Sequence, residues 1–129
     1  MTAEAAALGA GKRILIVDDA RLMRAVLRSI LEGHGYEVVG EADNAEDGLR
    51  AYDRLKPDGV TFDIVMPGQR GTEAVQALKG RDACARIVVV SSVEDEQELA
   101  LLRVLGVPPV VSKPPSWESL RPALEAAGL

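Results

Sequence analysis

Cysteine is almost missing from this chain. Cys84 stands alone among 129 residues, so no internal disulfide can form and a reducing compartment is the simpler setting. A basic excess is missing too: 15 Lys and Arg against 20 Asp and Glu give a formal net charge of -5. That balance argues against a nucleic-acid-binding surface, which needs clustered cations, and suits a basic partner. No apolar run approaches the length of a membrane span, so no membrane insertion is expected. Residues Met1 to Ala10 are Ala-rich but carry Glu4 and lack a basic start and a long apolar centre. They do not read as a signal peptide, and a flexible tail over residues 1–11 with a cytoplasmic location is expected. Linkers, repeats and low-complexity tracts are also absent, so residues 12–129 read as one domain of ordinary size.

What is present is an alternation of strands and helices. Arg13-Ile14-Leu15-Ile16-Val17 is a continuous apolar run that stops on Asp18-Asp19, the pattern of a strand buried on both faces. From Ala20 to Glu32 the apolar residues Leu22, Met23, Val26, Leu27, Ile30 and Leu31 recur at helical spacing, which predicts that they face the core. Tyr36 to Glu41 is a more polar strand suited to an edge. Asn44 is placed to cap a helix with Ala45, Leu49, Tyr52 and Leu55 inward. The stretch from Val60 is an apolar strand that stops on Asp63 and is turned out of the sheet by Met66-Pro67-Gly68, and Gly71 to Lys79 predicts a short helix. Arg86 to Val90 is a further buried strand ending on Ser91-Ser92. Asp95, Glu96 and Glu98 crowd the start of the next helix, where the dipole favours negative charge. Pro108 to Ser112 reads as a short edge strand because of its two prolines. Ser116 caps the last helix, in which Pro122 predicts a late start or a kink.

Five strands alternating with five helices imply a parallel sheet covered on both faces. Ligands on such sheets sit beyond the carboxyl ends of the strands. Asp18, Asp19, Asp63, Ser91 and, past the last strand, Lys113 all fall at such ends. An unpaired buried carboxylate costs several kcal/mol or protonates. Clustered acids repel by about 4 kcal/mol per pair at ~4 Å with an effective dielectric near 20. A cation relieves both penalties. The ligands are hard oxygens with no Cys or His nearby in the sequence, so Mg2+ fits better than zinc. With the acids neutralised, Asp63 could act as a carboxylate nucleophile on phosphorus, and Lys113 and Ser91 could bind phosphoryl oxygens.

These residues carry a resemblance. Asp18-Asp19 after the first strand, Asp63-Ile64-Val65-Met66-Pro67 with Gly71 following, Ser91 after the fourth strand and Lys113-Pro114 after the fifth resemble the receiver domain of two-component response regulators over about residues 12–127. The segments Gly11 to Ala20 and Val60 to Asp63 are further similar to chemotaxis CheY proteins. The resemblance implies a flavodoxin-like, CheY-like sheet of order 2-1-3-4-5, the order known for CheY. It implies that Asp63 accepts a phosphoryl group from a histidine kinase. Asp19, Asp63 and the Val65 carbonyl would hold Mg2+, with Asp18 assisting through water, and Lys113 and Ser91 would serve the phosphoryl group. The switched surface, built from the fourth helix, fifth strand and fifth helix, would meet a downstream protein target such as a flagellar switch, and a phosphatase could end the signal.

Three positions depart from the family pattern. Val110 stands where relatives commonly carry an aromatic switch, so a backbone shift at Ser91-Ser92 is the expected signal. Pro115 replaces the usual Phe. Val65 and Val93 are apolar where relatives often carry polar groups near the attacking water, which predicts slow loss of phosphate. The competing readings are a Mg2+-dependent aspartyl-phosphate phosphohydrolase, which commonly needs a second acid where Val65 stands, and a phosphate-independent scaffold of the same fold. Among the other residues, Gly9 to Lys12 does not make a phosphate loop, because it precedes a strand. His34 reads as a solvated cation at a helix end, Cys84 as a small packing residue, and Trp117 as a core or surface anchor.

Overall fold

The computed structural model describes residues 11–66 and 69–129. The expected tail, apart from Gly11, and the Pro67-Gly68 part of the turn after Asp63 lie outside the described residues. In chain order the elements are β1 (Arg13–Val17), α1 (Arg21–Gly33), β2 (Glu37–Ala42), α2 (Ala45–Leu55), β3 (Gly59–Phe62), α3 (Gly71–Arg81), β4 (Ile87–Ser91), α4 (Glu96–Val104), β5 (Val111–Ser112) and α5 (Trp117–Ala126). The five strands form one parallel sheet of order 2-1-3-4-5. A separate two-stranded hairpin, unanticipated in the sequence reading, pairs Val65–Met66 with Gln69–Arg70 between β3 and α3.

Alternation along β1 shows how the apolar run is used. Leu15 and Val17 enter one core with Tyr52 of α2, Val75 and Leu78 of α3 and Leu102 of α4. Ile14 and Ile16 enter the other with Leu27 and Leu31 of α1 and Leu120 and Leu124 of α5. Side chains on a strand point alternately to opposite faces, so only a run apolar at every position serves both layers. Each fully buried Leu or Ile contributes about 1.5–3 kcal/mol. β2 has only one buried neighbour strand and lies at the sheet edge, as its polarity predicts.

Several local expectations need correction. Leu22 is 77% exposed, because at about 3.6 residues per turn it falls on the far side of α1 from Leu27 and Leu31, which face the sheet together with Met23 and Ile30. β5 contains two residues rather than five, since Pro108 and Pro109 have no N–H to give a ladder. Helix α5 starts at Trp117 without delay, held by a reciprocal Ser116–Ser119 capping box, and runs through Pro122. Cys84 is exposed; its backbone N–H donates to Asp82 Oδ1 at 3.0 Å in the loop after α3. His34 is not freely solvated: its ring stacks on Trp117 with centroids 3.7 Å apart and planes at 9°.

Candidate functional site

Register brings the chemically active residues together. Val17 of β1 pairs with Phe62 of β3, and Phe62 pairs with Val89 of β4. The residues that follow Val17 and Phe62, Asp18 and Asp63, therefore leave the sheet side by side. On the far side Ser91 pairs with Ser112, so Lys113 emerges next to the same point. Four strand ends thus converge on one spot at the carboxyl edge of the sheet.

Asp63 is only 2% exposed, and its carboxylate is fully engaged. Oδ1 accepts hydrogen bonds from Ser91 Oγ at 2.8 Å and from the Val65 backbone N–H at 2.9 Å. Oδ2 accepts from Lys113 Nζ at 2.8 Å. Asp18, 1% exposed, accepts from the Ala20 backbone N–H at Oδ1. Its Oδ2 lies 2.9 Å from Lys113 Nζ but, among the described residues, is not aligned for a hydrogen bond with any donor. Two buried acids therefore share one ammonium. Burial disfavours the Lys113 charge, but the contacts with Asp63 and then Asp18, together with the charges of both acids, outweigh it and hold the ammonium above the ordinary lysine range. The Lys113–Pro114 peptide bond is cis.

Asp19 completes the cluster from the solvent side. It is exposed, and one carboxylate oxygen from each of Asp18, Asp19 and Asp63 lies within 4.8 Å of the others. Three carboxylates at this separation, one with a buried oxygen that lacks a hydrogen-bond donor, fit a hard divalent cation such as Mg2+. The geometry provides for that ion what Lys113 alone cannot, since one positive charge faces two buried negative ones and a third at the rim.

Gly71 supports the site from below. A Cβ there would come within 2.1 Å of Ile64 Cα, so only glycine lets α3 start against the Asp63–Val65 backbone, from which Val65 donates to Asp63. Val65 itself is 50% exposed at the rim, while Val93 and Val110 pack half-buried against the three-helix core. Pro115 is buried. Arg24, which the sequence pattern shows only as a polar residue between apolar helix positions, reaches the site indirectly. It donates to the Asp18 carbonyl oxygen at 2.7 Å and to Glu41 Oε1 at 3.1 Å.

The sequence matches the family described as the response regulator receiver domain over residues 14–125. This chain belongs to that family. Among curated relatives of this receiver, the chemotaxis protein CheY of Thermotoga maritima is 40% identical over 104 residues, covering 81% of this chain and 87% of that protein. CheY of Listeria monocytogenes is 34% identical over 115 residues, covering 89% and 97%. Among solved structures, the response regulator domain of Thermotoga maritima CheB superposes with a TM-score of 0.75 at 32% identity, covering 92% of this receiver and 98% of that chain. The CheX-CheY-BeF3-Mg complex from Borrelia burgdorferi gives a TM-score of 0.84 at 23% identity, covering 92% and 90%, and shares the fold. The described residues include no helix long and apolar enough to cross a membrane.

Proposed function

We propose that residues 12–129 act as the phosphoryl-accepting receiver of a two-component pathway, with Asp63 as acceptor and a histidine kinase as donor. The observation that carries this reading is the convergence on Asp63 of Ser91, Lys113 and the Val65 N–H inside an acid cluster. An Asp63 oxygen attacks phosphorus, the bond from phosphorus to the kinase histidine nitrogen breaks with its electron pair staying on that nitrogen, and the ring, already protonated on its other nitrogen, departs as neutral imidazole. Both Asp63 oxygens are already capped by donors, so attack requires a donor to move from the carboxylate to a phosphoryl oxygen. Ser91 Oγ and Lys113 Nζ are the side chains placed to do so. Asp18, Asp19, Asp63 and the Val65 carbonyl would hold Mg2+, which supplies positive charge against the phosphoryl oxygens. Movement of Ser91 would draw the Ser91-Ser92 loop inward and shift the α4-β5-α5 surface toward its partner-binding state. Val110 leaves no ring to rotate there.

The names of the CheY relatives favour chemotaxis as the pathway, with a flagellar switch or similar protein as the target and the cytoplasm as the location. With Val65 at the rim and Val93 packed half-buried against the core, no side chain at either position can orient a water for attack on the acyl phosphate. The phosphorylated state is therefore long-lived and depends on a phosphatase for fast decay. Incubation with acetyl phosphate and Mg2+ tests the whole reading. Gain of one phosphoryl group, lost in Asp63→Asn and decaying faster in Val65→Asn, is the expected result. Sustained turnover would instead indicate a phosphohydrolase, and no modification a phosphate-independent scaffold.

A further inference from the structure

The three acids of the cluster are held in different ways. Asp63 is fixed by three hydrogen bonds, and Asp18 by the Ala20 N–H and Lys113. The Asp19 carboxylate is exposed and, among the described residues, has no hydrogen-bond or ion-pair partner. Its position depends on the backbone that carries it. One end of that backbone is tied to the sheet, where Asp18 N–H donates to the Ala42 carbonyl at 3.0 Å. The next group, the Asp18 carbonyl that begins the Asp18-Asp19 peptide, takes its hydrogen bond from the Arg24 guanidinium at 2.7 Å.

We propose that Arg24 is a positioning residue for the metal site: by clamping the Asp18 carbonyl it fixes the Asp18-Asp19 peptide and so aims the otherwise unheld Asp19 carboxylate. This rests on the Mg2+ reading above. The guanidinium is itself braced. Glu41, at the end of β2, accepts from Arg24 Nε at 3.1 Å and from Arg28 Nε at 2.8 Å, and Arg28 also pairs with Glu32 at 3.6 Å. The Arg24 side chain is 17% exposed, so its planar fork spans a carbonyl and a carboxylate in a partly dry setting where geometry is retained. The opposing effect is electrostatic. A cation near a cation site weakens metal binding through space, so an Arg24 that acted only by charge would hinder Mg2+. The two roles therefore predict opposite signs.

The test is amide chemical-shift titration of the full chain with Mg2+, together with backbone relaxation of Asp19 and Ala20 in metal-free protein. Arg24→Ala is expected to weaken Mg2+ binding roughly tenfold, the scale seen for residues that orient metal ligands, and to mobilise Asp19 without metal. Arg24→Lys, which keeps a donor to the carbonyl, should recover much of the affinity. Glu41→Gln, whose amide oxygen can still accept from Arg24 Nε, should lower thermal stability while leaving the Mg2+ affinity within about twofold, so a loss of stability alone does not account for the Arg24→Ala effect. A wild-type response that Arg24→Ala leaves equal or tightens overturns the inference alone. No wild-type response at Asp18, Asp19 or Asp63 overturns the metal reading and the inference with it.

Discussion

The two ends of the sheet are built on opposite principles. At the amino end, charged and polar groups find fixed partners within the chain. Arg13 N–H donates to Asp58 Oδ2 at 2.7 Å, Lys12 Nζ and Arg86 Nη1 each reach the Gly128 carbonyl at 3.0 Å, and Tyr36 OH donates to the Leu129 carbonyl at 3.1 Å. At the carboxyl end, two acids that are almost fully buried share one lysine, and a third stands unpaired at the rim. The amino end is closed and complete, whereas the carboxyl end keeps an electrostatic deficit that a ligand can fill. The uncompensated charge thus lies at the end of the sheet where the proposed phosphoryl acceptor stands.

Breaking each end by the same kind of change should expose the contrast. Lys113→Ala leaves Asp18 and Asp63 buried without a cation, and urea unfolding at neutral pH should show a loss of about 3 kcal/mol, the lower range for a broken buried pair because the lysine is partly solvated. Lys12→Ala, which removes one exposed hydrogen bond, should stay within about 0.5 kcal/mol. The folded Lys113 pKa is raised, so its contribution is fully present below lysine's ordinary 10.5 and is lost as pH rises through the higher native value. A wild-type minus Lys113→Ala difference that faded between pH 6 and 8 would contradict this assignment.

Gly71→Ala is expected to have the next largest effect. Its new methyl must displace the Ile64 backbone, costing about 1–3 kcal/mol. The same shift moves the Val65 N–H off Asp63, so phosphorylation by acetyl phosphate should slow as well, while substitutions at the amino end leave that rate unchanged.

How much of this was legible in the sequence follows from which signals are local. Apolar strands ending in Asp18-Asp19, Asp63 and Ser91, with Lys113 beyond Pro108-Pro109, indicate the sheet and the place of its site, because strand direction alone carries those residues to one edge. Interactions that depend on tertiary approach were not legible. Arg24 reads as a surface residue until Glu41 and the Asp18 carbonyl are seen beside it. His34 and Trp117, 83 positions apart by their numbers, give no sign of stacking. Leu22, grouped with the apolar residues of α1 by its near-helical spacing, falls on the far side from Leu27 and Leu31 and is exposed, a distinction that a broad apolar stripe blurs.

Thr61, midway between the two ends, should give the smallest effect. It is buried in β3, and among the described residues its hydroxyl has no hydrogen-bond partner. Thr61→Val, of nearly the same shape, should raise stability by about 1 kcal/mol without altering Mg2+ binding, since the hydroxyl serves neither end.

The carboxyl end carries uncompensated negative charge that a divalent cation would fill. Urea unfolding of wild-type protein and Asp63→Asn, each with and without Mg2+, tests it most directly. Without Mg2+, Asp63→Asn should be the more stable of the two, because one buried charge has been removed from a pair that shares a single lysine. Mg2+ at a hundred times its dissociation constant should stabilise the wild type by about 2.7 kcal/mol and leave Asp63→Asn nearly unmoved. A less stable Asp63→Asn together with a wild type indifferent to Mg2+ would contradict the account.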